Sequence, residues 1–276
     1  MCCPFSFQGW PARWRAYDRV GRPESGSAAL AGLRAKRGIV RMTDGTFVIA
    51  GGSGGIGLEI ARQLAPRAAQ VQIWSRTPGE LEQDHVVRHV ACDFTADDPL
   101  PDAPDQVHGA VYCPGSITLR SFRSLTAADF RQDLEINLLG AVRFLQVIQP
   151  RLAGAEGRPA SVVLFSTVAV AQGMPMHASI AAAKGAIEGL ARSLAAEWAP
   201  KVRVNVIAPA LTDTPLASRL LSSPEKREAM AARYPLKRIG TAADAAALAR
   251  FLLSNDSGWI TGQVLHADGG LSALRV

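Results

Sequence analysis

From Thr46 onward the chain alternates short apolar runs with longer segments of helical period, and this alternation constrains the fold more than any single residue does. TFVIA (46–50), QVQIW (70–74), VVRHVA (86–91), GAVYC (109–113), ASVVLFS (160–166), VRVNVIA (202–208) and QVLHA (263–267) have the length and apolar density of buried strands. Between them the pattern predicts a helix from about Ile56, one across Ala127–Leu152, one from about Ala178 to Trp198, and one across Ala242–Leu253. Strand followed by helix, repeated along one chain, predicts an α/β fold: a doubly wound, Rossmann-like parallel sheet in a single domain. An antiparallel all-β protein or a helix bundle does not survive this count.

The first strand runs into AGGSGGIG (50–57) and straight into a helix. Glycines there tighten the turn and let backbone approach a pyrophosphate at a helix N-terminus, where the amide dipoles favour anions. Gly51, Gly55 and Gly57, with Ser53 and Ile56 of the same turn, are therefore candidate dinucleotide ligands. Cofactor choice is read at the end of the second strand, where a carboxylate would hold a ribose 2′-hydroxyl and an arginine a 2′-phosphate. The chain has Trp74-Ser75-Arg76-Thr77 and no carboxylate before Glu80. Ser75 and Arg76 favour NADP(H) over NAD(H).

The charge balance removes one class of partner. Of the chain's 30 basic and 24 acidic residues, eight and two fall within 1–41, which leaves 22 of each in the body. A neutral body offers no net attraction for a nucleic acid. Residues 1–41 form a basic segment with no helical or strand period, expected to be a flexible extension ahead of a domain over 42–276. An organelle transit peptide, or a true start at Met42, are the other readings of it. No run of about 18 uncharged apolar residues is present, so no membrane span is expected. Cys2, Cys3, Cys92 and Cys113 lack metal or disulfide spacing, which fits a reducing, cytoplasmic setting and no metal.

With these pieces in order, the chain from Thr43 to Ser272 resembles the short-chain dehydrogenase/reductase family. Gly51, Gly55 and Gly57 are similar to its TGxxxGIG turn, with Ala50 in place of the threonine. The resemblance implies that Asp93 meets the adenine, that Asn137 belongs to the catalytic set on the long central helix, and that Lys184 is the active-site lysine and also a cofactor ligand. The segment from Asn205 to Pro209 and Thr214 match the part that wraps the nicotinamide, Gly115 and Thr212 are expected as further cofactor contacts, and ITGQVLHADGG (260–270) matches the closing strand. It also implies a small-molecule substrate and a homodimer or homotetramer assembled through the small-residue helix 178–198.

The departures gather around the chemistry. The family's Asn-Asn-Ala-Gly is replaced by Tyr112-Cys113-Pro114-Gly115. Its serine-to-tyrosine spacing lands on Thr167 and Ile180, with Ser166 one position off; strand alternation favours Thr167 over Ser166 as the site hydroxyl. Ile180, one turn before Lys184, stands where the resemblance expects the tyrosine that moves the proton, and a hydrocarbon cannot do this. Two nearby groups are candidate replacements. Ser179 points about 100° around the helix. His177 lies seven residues before the lysine, the position of the tyrosine in the family's enoyl reductase branch. SLAAEWAP (193–200) is similar to the dienoyl-CoA reductase branch, which lacks a tyrosine at the Ile180 position. The expected activity is hydride transfer to or from a carbonyl or an activated C=C with an altered proton donor. The competing expectation is a nucleotide-binding pseudoenzyme.

Overall fold

The computed structural model describes residues 45–275 other than 82, 83, 97, 155 and 156; the expected extension over 1–41 lies outside them. In chain order the strands are β1 (Thr46–Ala50), β2 (Gln70–Ser75), β3 (Val87–Ala91), β4 (Gly109–Tyr112), β5 (Ala160–Phe165), β6 (Val202–Pro209), β7 (Thr212–Asp213), β8 (Gly240–Thr241) and β9 (Val264–Ala267). The helices are α1 (Gly55–Leu64), α2 (Ala127–Leu134), α3 (Gly140–Ile148), α4 (Val168–Gln172), α5 (Ala178–Trp198), α6 (Pro224–Ala231) and α7 (Ala242–Leu253). Seven strands pair in the order β3-β2-β1-β4-β5-β6-β9, every pair parallel, while β7 and β8 form a separate two-residue ladder. This is the expected doubly wound sheet.

Both faces of the sheet are covered, which explains why its strands are continuous apolar runs rather than alternating ones. Val48 and Ala50 of β1 join Trp74, Phe144, Ile148 and Ile187 in one core, so α3 and α5 lie on that face. Phe47 and Ile49 join Ile60, Leu64, Ala249 and Leu252 in the other, against α1 and α7. Successive side chains of one strand thus anchor opposite layers.

The single helix expected across 127–152 is a correction. It is α2, a π-helical turn over Glu135–Leu139, α3, and a final 3₁₀ turn over Gln149–Arg151. Pro150 cannot supply an α-helical amide, which accounts for the tightened end. At the start Thr126 Oγ1 accepts from the Asp129 amide at 3.2 Å, and the Asp129 carboxylate accepts from the Thr126 amide at 2.8 Å. Such a reciprocal cap fixes where α2 begins.

Tyr112 is explained by packing. Its ring meets Phe94 edge-on at 5.3 Å within a cluster that includes Trp74 and Phe144, and its hydroxyl donates to the Ile136 carbonyl of the π turn at 2.7 Å. A buried phenol with a satisfied hydroxyl anchors β4 to the central helix. Among the described residues no helix is long and apolar enough to cross a membrane.

Candidate active site

Strand order turns back between β1 and β4, and ligands of such sheets sit at this switch point, beyond the strands' carboxyl ends. Two glycine-bearing turns leave the sheet there, one after β1 and one after β4. In the first, a Cβ on Gly57 would lie 2.3 Å from the Gly51 carbonyl oxygen, so only glycine lets α1 start this close to the strand. Gly54 stands at the cap of α1 without a side-chain hydrogen bond, the first turn holds no acidic residue, and no atom lies within 4 Å of where a Gly54 Cβ would be. The start of α1 is thus uncapped and open beside Gly54, which fits a phosphate.

The segment after β2 folds onto the same turn. Gly79 has φ +77°, and a Cβ there would be 2.8 Å from the Ser53 carbonyl oxygen. Ser53 therefore lies beside the segment that carries Ser75 and Arg76. The Ser75 hydroxyl donates to the Thr77 carbonyl at 2.7 Å and shapes that bend. Asp93, at the end of β3, has its carboxyl held below the usual range by hydrogen bonds from the hydroxyl and amide of Thr95, then by the charge of Arg76. Arg76 and Asp93 are brought together, outside the cavity described next.

That cavity, about 290 Å³, is lined by Ile56, Gly115, Ser166, Thr167, His177, Ile180, Lys184, Pro209, Thr212 and Thr214. Thr214 closes back on the glycine turn, 3.5 Å from where a Gly55 Cβ would stand. Most of the remaining wall is apolar, including Leu119, Met174, Leu216, Leu220 and Met230. No lining residue is acidic; the ionisable side chains include Lys184, His177 and Arg233.

Lys184 is 8% exposed, and burial pulls its ammonium down from 10.5 to about 8, against the opposing pull of Cys113 and Asp133. Its Nζ lies 3.5 Å, and Asn137 Oδ1 3.0 Å, from the position of a Gly115 Cβ. Asn137 Oδ1 is buried without a hydrogen-bond partner. Lysine, asparagine and Gly115 thus converge on one small space, although Asn137 does not itself line the cavity. Cys113 lies at the same place, its thiol pushed up to about 12 by burial.

Strand alternation does not separate Ser166 from Thr167, because β5 ends at Phe165 and both residues line the cavity. Hydrogen bonding does separate them. Ser166 donates its only proton to Glu188 Oε1 at 2.7 Å, whereas Thr167 Oγ1 accepts from the Ala169 amide at 3.3 Å and keeps its proton. His177 Nδ1 lies 2.7 Å from the Pro175 carbonyl, which can only accept, so Nδ1 carries the proton. Ile180, 5% exposed, lines the cavity one turn before Lys184. Ser179 is buried and absent from the cavity wall, and its hydroxyl has no hydrogen-bond partner.

A family profile described as enoyl-(acyl carrier protein) reductase matches residues 50–272, a span that includes both glycine turns and the whole cavity. The chain belongs to the short-chain dehydrogenase/reductase family. It is 32% identical over 255 residues to 2-(S)-hydroxypropyl-CoM dehydrogenase 3 of Xanthobacter autotrophicus, covering 85% of this chain and 99% of that protein. It is 30% identical over 244 residues to L-xylulose reductase of Bos taurus, with 85% and 99% covered. Among solved structures, ligand-free aldohexose dehydrogenase of Thermoplasma acidophilum superposes with a TM-score of 0.74 at 27% identity, covering 85% of this chain and 96% of that one. The protein is therefore an oxidoreductase of the short-chain dehydrogenase/reductase type.

Three residues of this short-chain dehydrogenase/reductase site escaped the sequence reading. Ser116 and Tyr234 line the cavity, and Asp133 lies buried behind it. Tyr234 reaches the wall from the segment after α6, and its hydroxyl accepts from the Leu211 amide at 3.3 Å. No local pattern foretells that contact. Asp133 did leave a signal, since it precedes Asn137 by four residues and so shares its helical face.

Proposed function

We propose that this protein is an NADP(H)-dependent oxidoreductase that moves hydride to or from a carbonyl, or an activated C=C, of a small and largely apolar molecule. The observation that carries this reading is Lys184: a buried ammonium beside Gly115 and Asn137, at the foot of an apolar cavity. The glycine turn with the uncapped start of α1 would hold the pyrophosphate, and Ser53, Ser75 and Arg76 the 2′-phosphate. Asp93 would meet the adenine, and Pro209, Thr212 and Thr214 the nicotinamide end. When bound, the dinucleotide supplies or accepts the hydride. Thr167, with its free proton, orients the reacting oxygen, and Lys184 adds positive charge beside it. NAD(H) is the less favoured cofactor.

In this reading Ile180 replaces the family's tyrosine, so the proton comes from elsewhere; His177, whose protonated Nδ1 leaves Nε2 free to exchange a proton, is one candidate. The protein works as a homodimer or homotetramer on a small molecule, without nucleic acid or membrane. The free thiols of Cys92 and Cys113 suit the cytoplasm.

Titration with NADPH and NADH, followed by a turnover screen over ketones, secondary alcohols and enoyl thioesters, tests the proposal. NADPH should bind more tightly, and Arg76→Asp should erase or reverse the preference by about ten- to a hundredfold, the worth of a charge-assisted hydrogen bond. Equal affinities in the parent would overturn the NADP(H) assignment. Ile180 itself favours a second reading, a nucleotide-binding protein without turnover; cofactor binding with no reaction on any substrate would select it.

A further inference from the structure

Behind the cavity wall runs a chain of hydrogen bonds that the family comparison leaves unassigned. Ser116, in the wall, donates its hydroxyl proton to Asp133 Oδ1 at 2.6 Å. Thr118 donates to the same oxygen at 3.0 Å. Asn137 Nδ2 donates to Ser116 Oγ at 2.9 Å and to the Asp133 carbonyl at 2.8 Å. The direction of each bond is therefore fixed. Ser116 accepts from Asn137, gives to Asp133, and keeps one lone pair for the cavity.

Asp133 is fully buried, and its Oδ2 has no hydrogen-bond partner. A carboxyl taken out of water with an oxygen unpaired is costly, and packing alone gives no reason to keep one there. The charged group facing it is Lys184 on α5, on which Cys113 after β4 also acts; Glu188, also on α5, is engaged by Ser166. Thr118 is only partly buried, so the chain runs from the cavity through Ser116 and Asp133 toward solvent.

We propose that Ser116 and Asp133 form the proton path of this site, standing in for the side chain that Ile180 lacks; this rests on the oxidoreductase reading above. In the direction of alcohol oxidation, the substrate hydroxyl gives its proton to Ser116 Oγ while the Ser116 proton passes to Asp133 Oδ1. The O–H bond breaks, the C=O bond forms, and the carbinol C–H electron pair leaves as hydride to the oxidant, an oxidised nicotinamide dinucleotide. Thr118, which donates to the carboxylate at rest, turns to release its own proton to solvent and accepts the one on Asp133 Oδ1, which restores the carboxylate. Reduction runs the same path backwards, from Asp133 through Ser116 to the developing alkoxide. Ser116 touches the substrate in this scheme, and Asp133 acts through it.

The test compares the full-length parent with Asp133→Asn and Ser116→Ala. Asparagine can still accept from Ser116 and Thr118 but cannot take up a proton from them. Both variants should stay folded, keep the parent's NADPH affinity, lose about 10²-fold in kcat, and show a solvent deuterium isotope effect on kcat different from the parent's. The double variant should fall no further than either single one. A readout independent of turnover is the infrared difference spectrum between the parent and each variant in the carboxyl region. The parent should show a carboxyl band that disappears in Asp133→Asn and shifts in Ser116→Ala. Unchanged kcat and solvent isotope effect in Asp133→Asn would overturn the path, as would a loss of turnover matched by an equal loss of NADPH affinity. A parent with no turnover would instead sink the oxidoreductase reading; the path then stands or falls on whether the Ser116-dependent carboxyl band is present.

Discussion

Replacing Lys184 by methionine isolates the cost of the buried ammonium. Burial lowers its pKa from 10.5, the value it regains on unfolding, to about 8 in the folded protein. At about 1.4 kcal/mol per pH unit, the folded state gives up about 3 kcal/mol wherever the lysine is fully charged in both states. The side chain is 8% exposed, so little of this is screened by solvent. The sign follows from proton counts. Between about 8 and 10.5 the unfolded chain holds more protons than the folded one, so stability rises with pH across that window. Below it the penalty is present in full.

Methionine cannot titrate, so the difference in unfolding free energy between parent and Lys184→Met should shift by about 2.5 kcal/mol in the parent's favour from about pH 7 to about pH 10. Urea unfolding of both proteins without ligand, at intervals across that range, measures it. The absolute gap also contains the packing of methionine and the loss of a positive charge facing Asp133, so the slope is the diagnostic quantity. Parallel curves would refute the reasoning, since they would mean that the ammonium is solvated in the folded state. A shift in the opposite direction would mean that its partners outweigh its burial.

Ile180→Tyr should place a phenol in the cavity wall one turn from Lys184 and raise ketone reduction by about 10²-fold, at a packing cost of about 1–3 kcal/mol; steady-state assays with intact NADPH binding but no gain would count against it. Gly57→Ala sets a methyl 2.3 Å from the Gly51 carbonyl oxygen, so the turn must open, lowering stability by about 1–3 kcal/mol and weakening NADPH binding. Normal denaturation and titration curves for that variant would remove the turn from the cofactor site. On α5, a Cβ at Gly189 would meet nothing within 4 Å, and on the π turn Leu139 is 44% exposed, which suits close contact with a second copy. Light scattering at micromolar concentration should therefore give a dimer or tetramer, and a monomer would refute that.

The parts of this protein that were legible in its sequence are those where one local rule acts alone. All seven sheet strands were foreseen because burial on both faces writes a continuous apolar run, and α5 and α7 end where their patterns end. Pattern failed where burial is absent. Pro224–Ala231 buries no residue and shows no apolar period, although Ser223 before Pro224 and Glu225 is a capping signal, and the Lys226 amide does bond to Ser223 Oγ at 3.3 Å. The π turn at Glu135–Leu139 also left no mark, since its register is set by packing rather than by composition.

The site shows the same division. Lys184 and Asn137 were expected from the family resemblance and the glycine turn from its place between strand and helix, and the structure brings Lys184 and Asn137 together at Gly115. The meaning of Tyr112 and Asp133 could not be read in that way. Tyr112 interrupts a family motif, yet its ring belongs to the aromatic core and its hydroxyl to Ile136, 24 residues away. Asp133 shares a helical face with Asn137, and spacing shows that much. Whether that face meets water or α5 decides between a solvated carboxylate and a buried one. That choice is made by the packing of α2 on α5, where Lys184 supplies the facing charge. Under the proposed proton path, the side chain at position 180 therefore cannot be judged on the helix that carries it. Its consequence depends on a carboxyl that reaches the same cavity from another element, through Ser116.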